Sequence, residues 1–228
     1  MVAKLVLFTL VVFLVIMILF LNNRSMSAKS YTYLALGDSY TIGESLAIYE
    51  SFPYQTIQLL RKAGHNFNAP EILAKTGWTT DDLKKGIRNT VFQSSYDVVS
   101  LLIGVNDQYN GRILNDYAKN FEHLLQQAIS FAANNPERVI VLSIPDWSRT
   151  PFASGKDRGE ITRQIKMLNV ENQKISKQYM VNYIQLGQTD AEEDPDESML
   201  APDQLHYSGK VYARWGQQLL EVIQRRFV

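Results

Sequence analysis

From residue 31 onward, short apolar runs alternate with longer segments in which apolar residues recur every three or four positions. The short runs are typical of buried strands, and the longer pattern is typical of helices with one apolar face. Strands are predicted at residues 31–36, 70–74, 97–103, 138–144 and 181–186. Helices are predicted from 51 to 64, from 79 or 80 to 87, across 117–129, from 157 to 175 and from 208 to 227.

These elements predict an α/β fold, because strands that alternate with helices form a mostly parallel sheet through right-handed crossovers. We expect a three-layer α/β/α sandwich with a central five-stranded sheet. The mostly apolar runs 97–103 and 138–144 favour strands that are covered on both faces. In such sheets, ligands bind outside the carboxyl ends of the strands.

The N-terminus has a different pattern, since residues 5–21 are apolar except for Thr9. This length fits either a membrane anchor or a cleaved signal peptide, and positive charge lies on both sides of the run. A third interpretation is a buried helix or a start at Met26. We therefore predict an anchor or signal segment with a short linker at 1–29 and a catalytic domain at 30–228. The expected location is the cell envelope, anchored or exported, or the cytoplasm if translation starts at Met26.

The composition of the chain excludes several classes of partner and of chemistry. A chain of 228 residues with 46% hydrophobic residues has enough apolar material for one substantial core. The formal net charge is zero and no long basic run is present, so nucleic acid is not an expected partner. The absence of cysteine excludes disulfides, a thiolate nucleophile and cysteine-bound metals.

Polar residues suited to acyl transfer follow the predicted strands and should meet at one edge of the sheet. Of the three histidines, His65 is predicted at the opposite edge and His123 inside a helix, which leaves His206 to face Ser39. A serine hydroxyl needs a base, and histidine is the side chain that titrates nearest neutrality. Asp203, three residues before His206, is the candidate for orienting the imidazole.

These residues carry a family resemblance. The segments Gly37-Asp38-Ser39, Gly77, Gly104-Val105-Asn106-Asp107 and Asp203-Gln204-Leu205-His206 resemble, in order and approximate spacing, the four sequence blocks of the SGNH hydrolases, the GDSL lipase/esterase superfamily. The resemblance extends from Tyr31 to the C-terminus. Tyr40 and Tyr207 depart from the usual flanking residues, which bears on substrate preference more than on catalysis.

The resemblance implies a flavodoxin-like SGNH hydrolase fold and a reaction that needs no cofactor and no metal. It also implies an oxyanion hole formed by the backbone N–H groups of Ser39 and Gly77 and the side-chain amide of Asn106. Asp107 is expected to cap the next helix, and Asp38 to bond backbone in its turn.

Two further features stay outside the predicted site. Trp78, Tyr109 and Trp147 also follow strands, and packing is as good an interpretation for them as a pocket wall. The acidic segment 190–196 lacks the spacing of an EF-hand and is predicted to be a solvated loop.

The sequence thus predicts a serine-dependent acyl hydrolase that works through an acyl-enzyme intermediate. We expect a small-molecule, lipid or sugar ester as substrate, with a preference for short-chain esters or lysophospholipids. One alternative is a carbohydrate acetylesterase of the same catalytic type. Another is an inactive, membrane-tethered binding protein on a hydrolase fold. The sequence leaves the oligomeric state open.

Overall fold

The structure, a computed structural model, describes residues 13, 17, 29–187 and 196–227. The chain divides into two compact units, Met1–Ser30 and Tyr31–Val228. Among the described residues, no helix is long and apolar enough to cross a membrane. The apolar run 5–21 lies outside the described residues except for positions 13 and 17, so its role as anchor or signal stays a prediction.

A parallel five-stranded sheet forms the centre of the second unit. Its strands are β1 (Tyr33–Gly37), β2 (Glu71–Ala74), β3 (Val98–Leu102), β4 (Val139–Leu142) and β5 (Asn182–Ile184). Their order across the sheet is β2-β1-β3-β4-β5, and every neighbouring pair is parallel. From β1 the chain passes to β2 at one edge of the sheet and then crosses back over β1 to form β3 on its other side. This reversal creates a switch point between β1 and β3, which is where doubly wound sheets bind ligands.

The helices of this unit are α1 (Ser39–Ile42), α2 (Phe52–Lys62), α3 (Thr80–Arg88), α4 (Val105–Tyr109), α5 (Leu114–Phe131), α6 (Arg158–Gln178) and α7 (Gly209–Phe227). Helices α2 and α7 pack together, while α5 packs against both α3 and α6. The two groups cover the two faces of the sheet, as expected when the chain crosses from β1 in both directions. This is the predicted three-layer fold.

Local signals explain where two of these helices begin. The Thr79 side chain accepts a hydrogen bond from the N–H of Asp82, and the Asp82 carboxylate accepts one from the N–H of Thr79, which together form a capping box for α3. The Asp157 carboxylate accepts from the N–H of Glu160 at the start of α6. Each cap satisfies a donor that a helix N-terminus leaves free.

The core lies on both faces of the sheet. All five residues of β1 and of β3 are buried, including Leu36 and Leu101, which are fully covered. Gly37 pairs with Ala74 on one side and with Leu102 on the other, so the carboxyl ends of β1, β2 and β3 lie at one level. The segments that follow these three strands therefore start at a common edge.

The short helices α1 and α4 do not appear among the predicted elements. Each begins within two or three residues of the end of a central strand, at Ser39 and Val105. Helices of four and five residues are too short to show an apolar period, so periodicity does not reveal them. They nonetheless position two candidate residues, Ser39 and Asn106.

Candidate active site

Ser39 is the first residue of α1 and follows β1 after a tight turn at Gly37 and Asp38. A Cβ atom at Gly37 would overlap the Thr41 hydroxyl oxygen and the Leu102 carbonyl oxygen, so a side chain does not fit there. The Asp38 carboxylate accepts a hydrogen bond from the N–H of Tyr40 at 3.0 Å and caps α1. The turn places the Ser39 side chain at the carboxyl edge of the sheet, where it is 5% exposed.

Three of the predicted site residues lie in one hydrogen-bonded line. The Oγ atom of Ser39 is 2.8 Å from Nε2 of His206, and Nδ1 of His206 is 2.7 Å from Oδ2 of Asp203. The imidazole is 5% exposed and packs against the ring of Tyr40, with centroids 4.9 Å apart. A histidine held between a serine and a carboxylate can accept the proton of the serine, which is the activation that a hydroxyl nucleophile needs.

Hydrogen bonds hold Asp203 in its ionised form. Its Oδ1 atom accepts from the backbone N–H groups of Leu205 and His206 at 3.0 and 2.9 Å. Partial burial of Asp203 works to raise its pKa, but the hydrogen bonds from the Ser45 hydroxyl, these N–H groups and His206 outweigh it and lower that pKa to about 2. Asp203 is therefore a carboxylate at neutral pH.

Ser45 is a member of this group that the sequence does not reveal. Its hydroxyl donates to Oδ2 of Asp203 at 2.6 Å, across 158 residues of chain. Its backbone φ is positive, which is uncommon for a residue other than glycine. The only local signal is its place six residues after Ser39, in the loop that follows α1.

The two segments proposed for the oxyanion hole are joined to each other. The side-chain amide of Asn106, in α4, donates to the carbonyl oxygen of Trp78 at 3.0 Å, and Trp78 directly follows Gly77. An amide nitrogen carries two hydrogens, so one hydrogen of Asn106 remains for a ligand. Gly77 is exposed and has a positive φ, a backbone conformation that glycine adopts at little cost.

Asp107 has a different role from the predicted one. It lies inside α4, and the next helix, α5, has Ile113 at its cap position without a side-chain cap. The buried carboxylate instead accepts from the N–H and hydroxyl of Thr80, at 2.8 and 2.7 Å, and pairs with Arg112 at 2.6 Å. Asp107 thus stabilises the N-terminus of α3 and ties it to α4. The prediction was wrong because it considered only the helix nearest in sequence.

Asp38 is fully buried at the start of α1. Its Oδ1 atom caps the helix, while Oδ2 has no hydrogen-bond partner. Loss of hydration by burial raises the pKa of this carboxyl to about 8, the bond from Tyr40 opposes that effect and the charge of Asp107 adds to it. The structural role expected for Asp38 agrees with this position, and the group is mostly protonated at neutral pH.

The other two histidines lie elsewhere in the fold. His65 is in the connection from α2 to β2, and His123 is an exposed residue inside α5. Both positions are those expected from the sequence. His206 is the histidine that the structure places against Ser39.

A metal site would need several oxygen or imidazole ligands close together. Within residues 29–187 and 196–227, no three acidic or histidine side chains are arranged to hold a metal ion. The acidic segment 190–196 lies outside the described residues except for Asp196, which caps a short helix by accepting from the N–H of Ser198.

A cavity of about 190 Å³ is lined by residues of α4, of the loop that follows it, and of α5 and α6, and none of Ser39, Asp203 and His206 lines it. Its two arginines, Arg112 and Arg163, are paired with Asp107 and Glu160. Because both cations are already neutralised, this cavity is not a candidate anion site.

Comparison with solved structures shows the same fold. The chain is 20% identical to a lipase/acylhydrolase from Enterococcus faecalis, with a TM-score of 0.68 and coverage of 86% of this chain and 96% of that chain. It is 15% identical to the esterase EstA from Pseudoalteromonas sp., with a TM-score of 0.65 and coverage of 86% and 98%. It is 17% identical to the acetylxylan esterase Axe2 from Geobacillus stearothermophilus, with a TM-score of 0.66 and coverage of 87% and 96%.

No curated protein sequence matches the chain. Residues 35–214 match the model of the GDSL-like Lipase/Acylhydrolase family. The matched range contains Ser39, Asp203, His206 and the whole sheet except the first two residues of β1. The chain therefore belongs to the GDSL-like lipase/acylhydrolase family of ester hydrolases.

Proposed function

We propose that the protein hydrolyses carboxylic esters through a covalent acyl-enzyme intermediate, with Ser39 as nucleophile. The observation that carries the proposal is the hydrogen bond of 2.8 Å between Oγ of Ser39 and Nε2 of His206. Oγ and Nε2 are within the distance over which a general base takes a proton. Family membership supports the reaction class, and the geometry supports the roles of the residues.

In the first half-reaction, Oγ of Ser39 attacks the ester carbonyl carbon while His206 takes the hydroxyl proton. The imidazolium that forms is stabilised by the ionised Asp203, which holds Nδ1 at 2.7 Å. His206 then gives the proton to the leaving alcohol oxygen as the bond to that oxygen breaks. The acyl group remains on Ser39.

The carbonyl oxygen becomes negatively charged during the attack. We assign the donors that stabilise it as the backbone N–H groups of Ser39 and Gly77 and the free amide hydrogen of Asn106. Such donors stabilise the transition state more than the substrate, because the charge they meet develops only there. Loss of one donor of this kind raises the barrier by about 3 kcal/mol.

Water completes the cycle. His206 takes a proton from a water molecule, the resulting hydroxide attacks the acyl carbon, and the tetrahedral intermediate collapses with return of the proton to Ser39. The products are a carboxylic acid and a regenerated serine. Every proton in the proposed route moves through His206. None of the proposed steps uses a metal or a cofactor.

The decisive experiment compares p-nitrophenyl acetate, butyrate and octanoate as substrates for the full-length chain. We expect Ser39→Ala and His206→Ala each to lower kcat/KM by at least about a thousandfold, since both act as one unit. His65→Ala and His123→Ala should stay within a few-fold of wild type, and the exposed helical Ser130→Ala serves as the serine control.

Equal rates for wild type and Ser39→Ala on all three esters would refute the esterase proposal and favour a binding protein. Equal losses for the three histidine variants would refute the assignment of His206. The chain-length profile also tests the substrate: a sharp maximum at acetate, together with release of acetate from acetylated glycan, would favour the carbohydrate acetylesterase.

We also propose that the apolar N-terminal run 5–21 places the enzyme at the cell envelope. The length of the run and its lack of charge support this location. Fractionation of cells that express the full chain should recover the esterase in membranes or in the exported fraction, and a chain that starts at Met26 should appear in the cytosol. Recovery of both chains in the cytosol would contradict the proposal.

A further inference from the structure

Three aromatic residues, Tyr109, Trp147 and Phe152, form a cluster that is exposed at its two ends. The ring centroid of Trp147 lies 5.7 Å from that of Tyr109 and 5.8 Å from that of Phe152. Trp147 is only 3% exposed, and its indole N–H donates to the side-chain oxygen of Gln108 at 2.9 Å. Tyr109 and Phe152 are 53% and 42% exposed, so their rings form the accessible part of the aromatic cluster.

The aromatic cluster is joined to both sides of the candidate active site. Tyr109 follows Asn106 by three residues on α4, a spacing that makes the two residues neighbours on one side of a helix. The backbone N–H of Phe152 donates to the carbonyl oxygen of Gln204 at 3.3 Å, and Gln204 lies two residues before His206. The aromatic cluster therefore adjoins the two segments that hold Asn106 and His206.

A cation lies over the exposed rings. The ammonium nitrogen of Lys156 is 5.5 Å from the ring centroid of Tyr109 and 5.9 Å from that of Phe152. Cation–π contacts at exposed sites are weak and do not neutralise the ammonium charge. Among the residues that the structure describes, no carboxylate pairs with Lys156.

We propose that Tyr109, Phe152 and Lys156 form a substrate subsite for an anionic group on the ester. The rings contact the apolar atoms that carry the anionic group, and Lys156 pairs with its negative charge. The inference rests on the proposed esterase function and adds a charge preference to it. A neutral acyl chain or a neutral sugar fits less well, because either would have to displace the ammonium group from both ring faces to reach them.

The test uses two pairs of esters that differ in charge, with the full-length protein. In the first pair the acyl group differs: mono-p-nitrophenyl suberate is anionic and p-nitrophenyl octanoate is neutral. In the second pair the leaving group differs: the butyrate ester of 4-hydroxyphenylacetate is anionic, and the butyrate ester of methyl 4-hydroxyphenylacetate is neutral. The pair that responds identifies the side of the ester that contacts Lys156.

We expect wild type to favour the anionic member of at least one pair by about two- to fivefold in kcat/KM, as for an exposed ion pair. The preference should come mainly from a lower KM for the anionic ester and should decrease in about 1 M salt, which screens the charges. Lys156→Gln should abolish the preference, while Lys156→Arg should retain it. Lys166→Gln, an exposed lysine of α6, is the matched control.

Hydrolysis of all four esters without a charge preference, or a preference that Lys156→Gln leaves unchanged, would overturn the subsite. A preference for the neutral member of both pairs would overturn it as well. These outcomes leave the esterase function intact, provided that Ser39→Ala removes the activity. Failure to hydrolyse any of the four esters would reject the esterase function and the subsite together.

Discussion

At the level of single residues, the carboxylate of Asp203 is the acceptor of several hydrogen bonds in the candidate active site. It accepts hydrogen bonds from the Ser45 hydroxyl, from the N–H groups of Leu205 and His206 and from the imidazole. Its Oδ2 atom is shared by Ser45 and His206. Ser45 therefore limits where the carboxylate can point and, through it, where the imidazole can point.

Removal of the Ser45 hydroxyl should lower kcat by a few-fold to about tenfold, which corresponds to the roughly 0.5–1.5 kcal/mol of a typical hydrogen bond. We expect KM to change little, because Ser45 acts through Asp203 and not on the substrate. The pKa of Asp203 should rise above 2, because one of the bonds that lowers it is lost. The measurements are the steady-state kinetics of Ser45→Ala and an NMR titration of Asp203.

Ser45→Gly is the matched variant, since glycine adopts the positive φ of this position without strain and also lacks the hydroxyl. Equal losses of kcat in Ser45→Ala and Ser45→Gly would attribute the effect to the hydroxyl. Full activity in Ser45→Gly together with a loss of kcat in Ser45→Ala would attribute the loss to the backbone and contradict the prediction.

At the level of helices, Asp107 connects α4, which contains Asn106 of the proposed oxyanion hole, to α3, which begins three residues after Gly77. Its carboxylate joins the first residue of α3, Thr80, to α4, which contains Asn106. Helix α4 has only five residues, which is too few for a helix to be stable through its own hydrogen bonds. The conformation of α4 therefore depends on contacts such as these.

We predict that Asp107→Ala lowers the free energy of unfolding by about 3 kcal/mol, since it leaves the partly buried Arg112 without its buried partner. It should also lower kcat, because α4 is no longer held in place. Chemical denaturation and the ester assay measure the two effects. Asp81→Ala is the control, because Asp81 also pairs with Arg112 but its side chain is exposed. Its loss should cost less than about 1 kcal/mol, as for a surface ion pair. Equal costs for the two variants would contradict the prediction.

At the scale of the whole molecule, Asp38 couples folding to pH. Burial raises the pKa of its carboxyl to about 8 in the folded protein, while in the unfolded chain it titrates near 3.8. Between these values the folded state holds a proton that the unfolded state releases. Unfolding therefore becomes easier as pH rises from about 4 to 8, and the contribution of Asp38 levels off above that range.

We expect Asp38→Asn to flatten this decline, because asparagine keeps the acceptor that caps α1 and does not ionise. Thermal unfolding between about pH 5 and 8 measures the effect, with Asp97→Asn as the control for a carboxylate that lies far from α1 at the start of β3. A pH dependence that is the same in wild type and Asp38→Asn would show that Asp38 does not titrate as stated.

Much of the architecture follows from the sequence alone. The order of the elements and the parallel sheet are predictable because apolar periodicity is a local property and crossover connections have a fixed hand. The same rule brings Ser39, Gly77, Asn106, Asp203 and His206 to one edge of the sheet, since each follows a strand. Caps such as Asp157 are predictable for the same local reason.

The alternation of strands and helices, the edge at which the polar residues meet and the choice of His206 among the histidines are therefore predictable from the sequence. The side chains that support these residues are identified by the tertiary contacts. The bond from Ser45 to Asp203 spans 158 residues, and that from Thr80 to Asp107 spans 27. Contacts at such separations depend on how the layers pack, and no local pattern of polar and apolar residues records that packing.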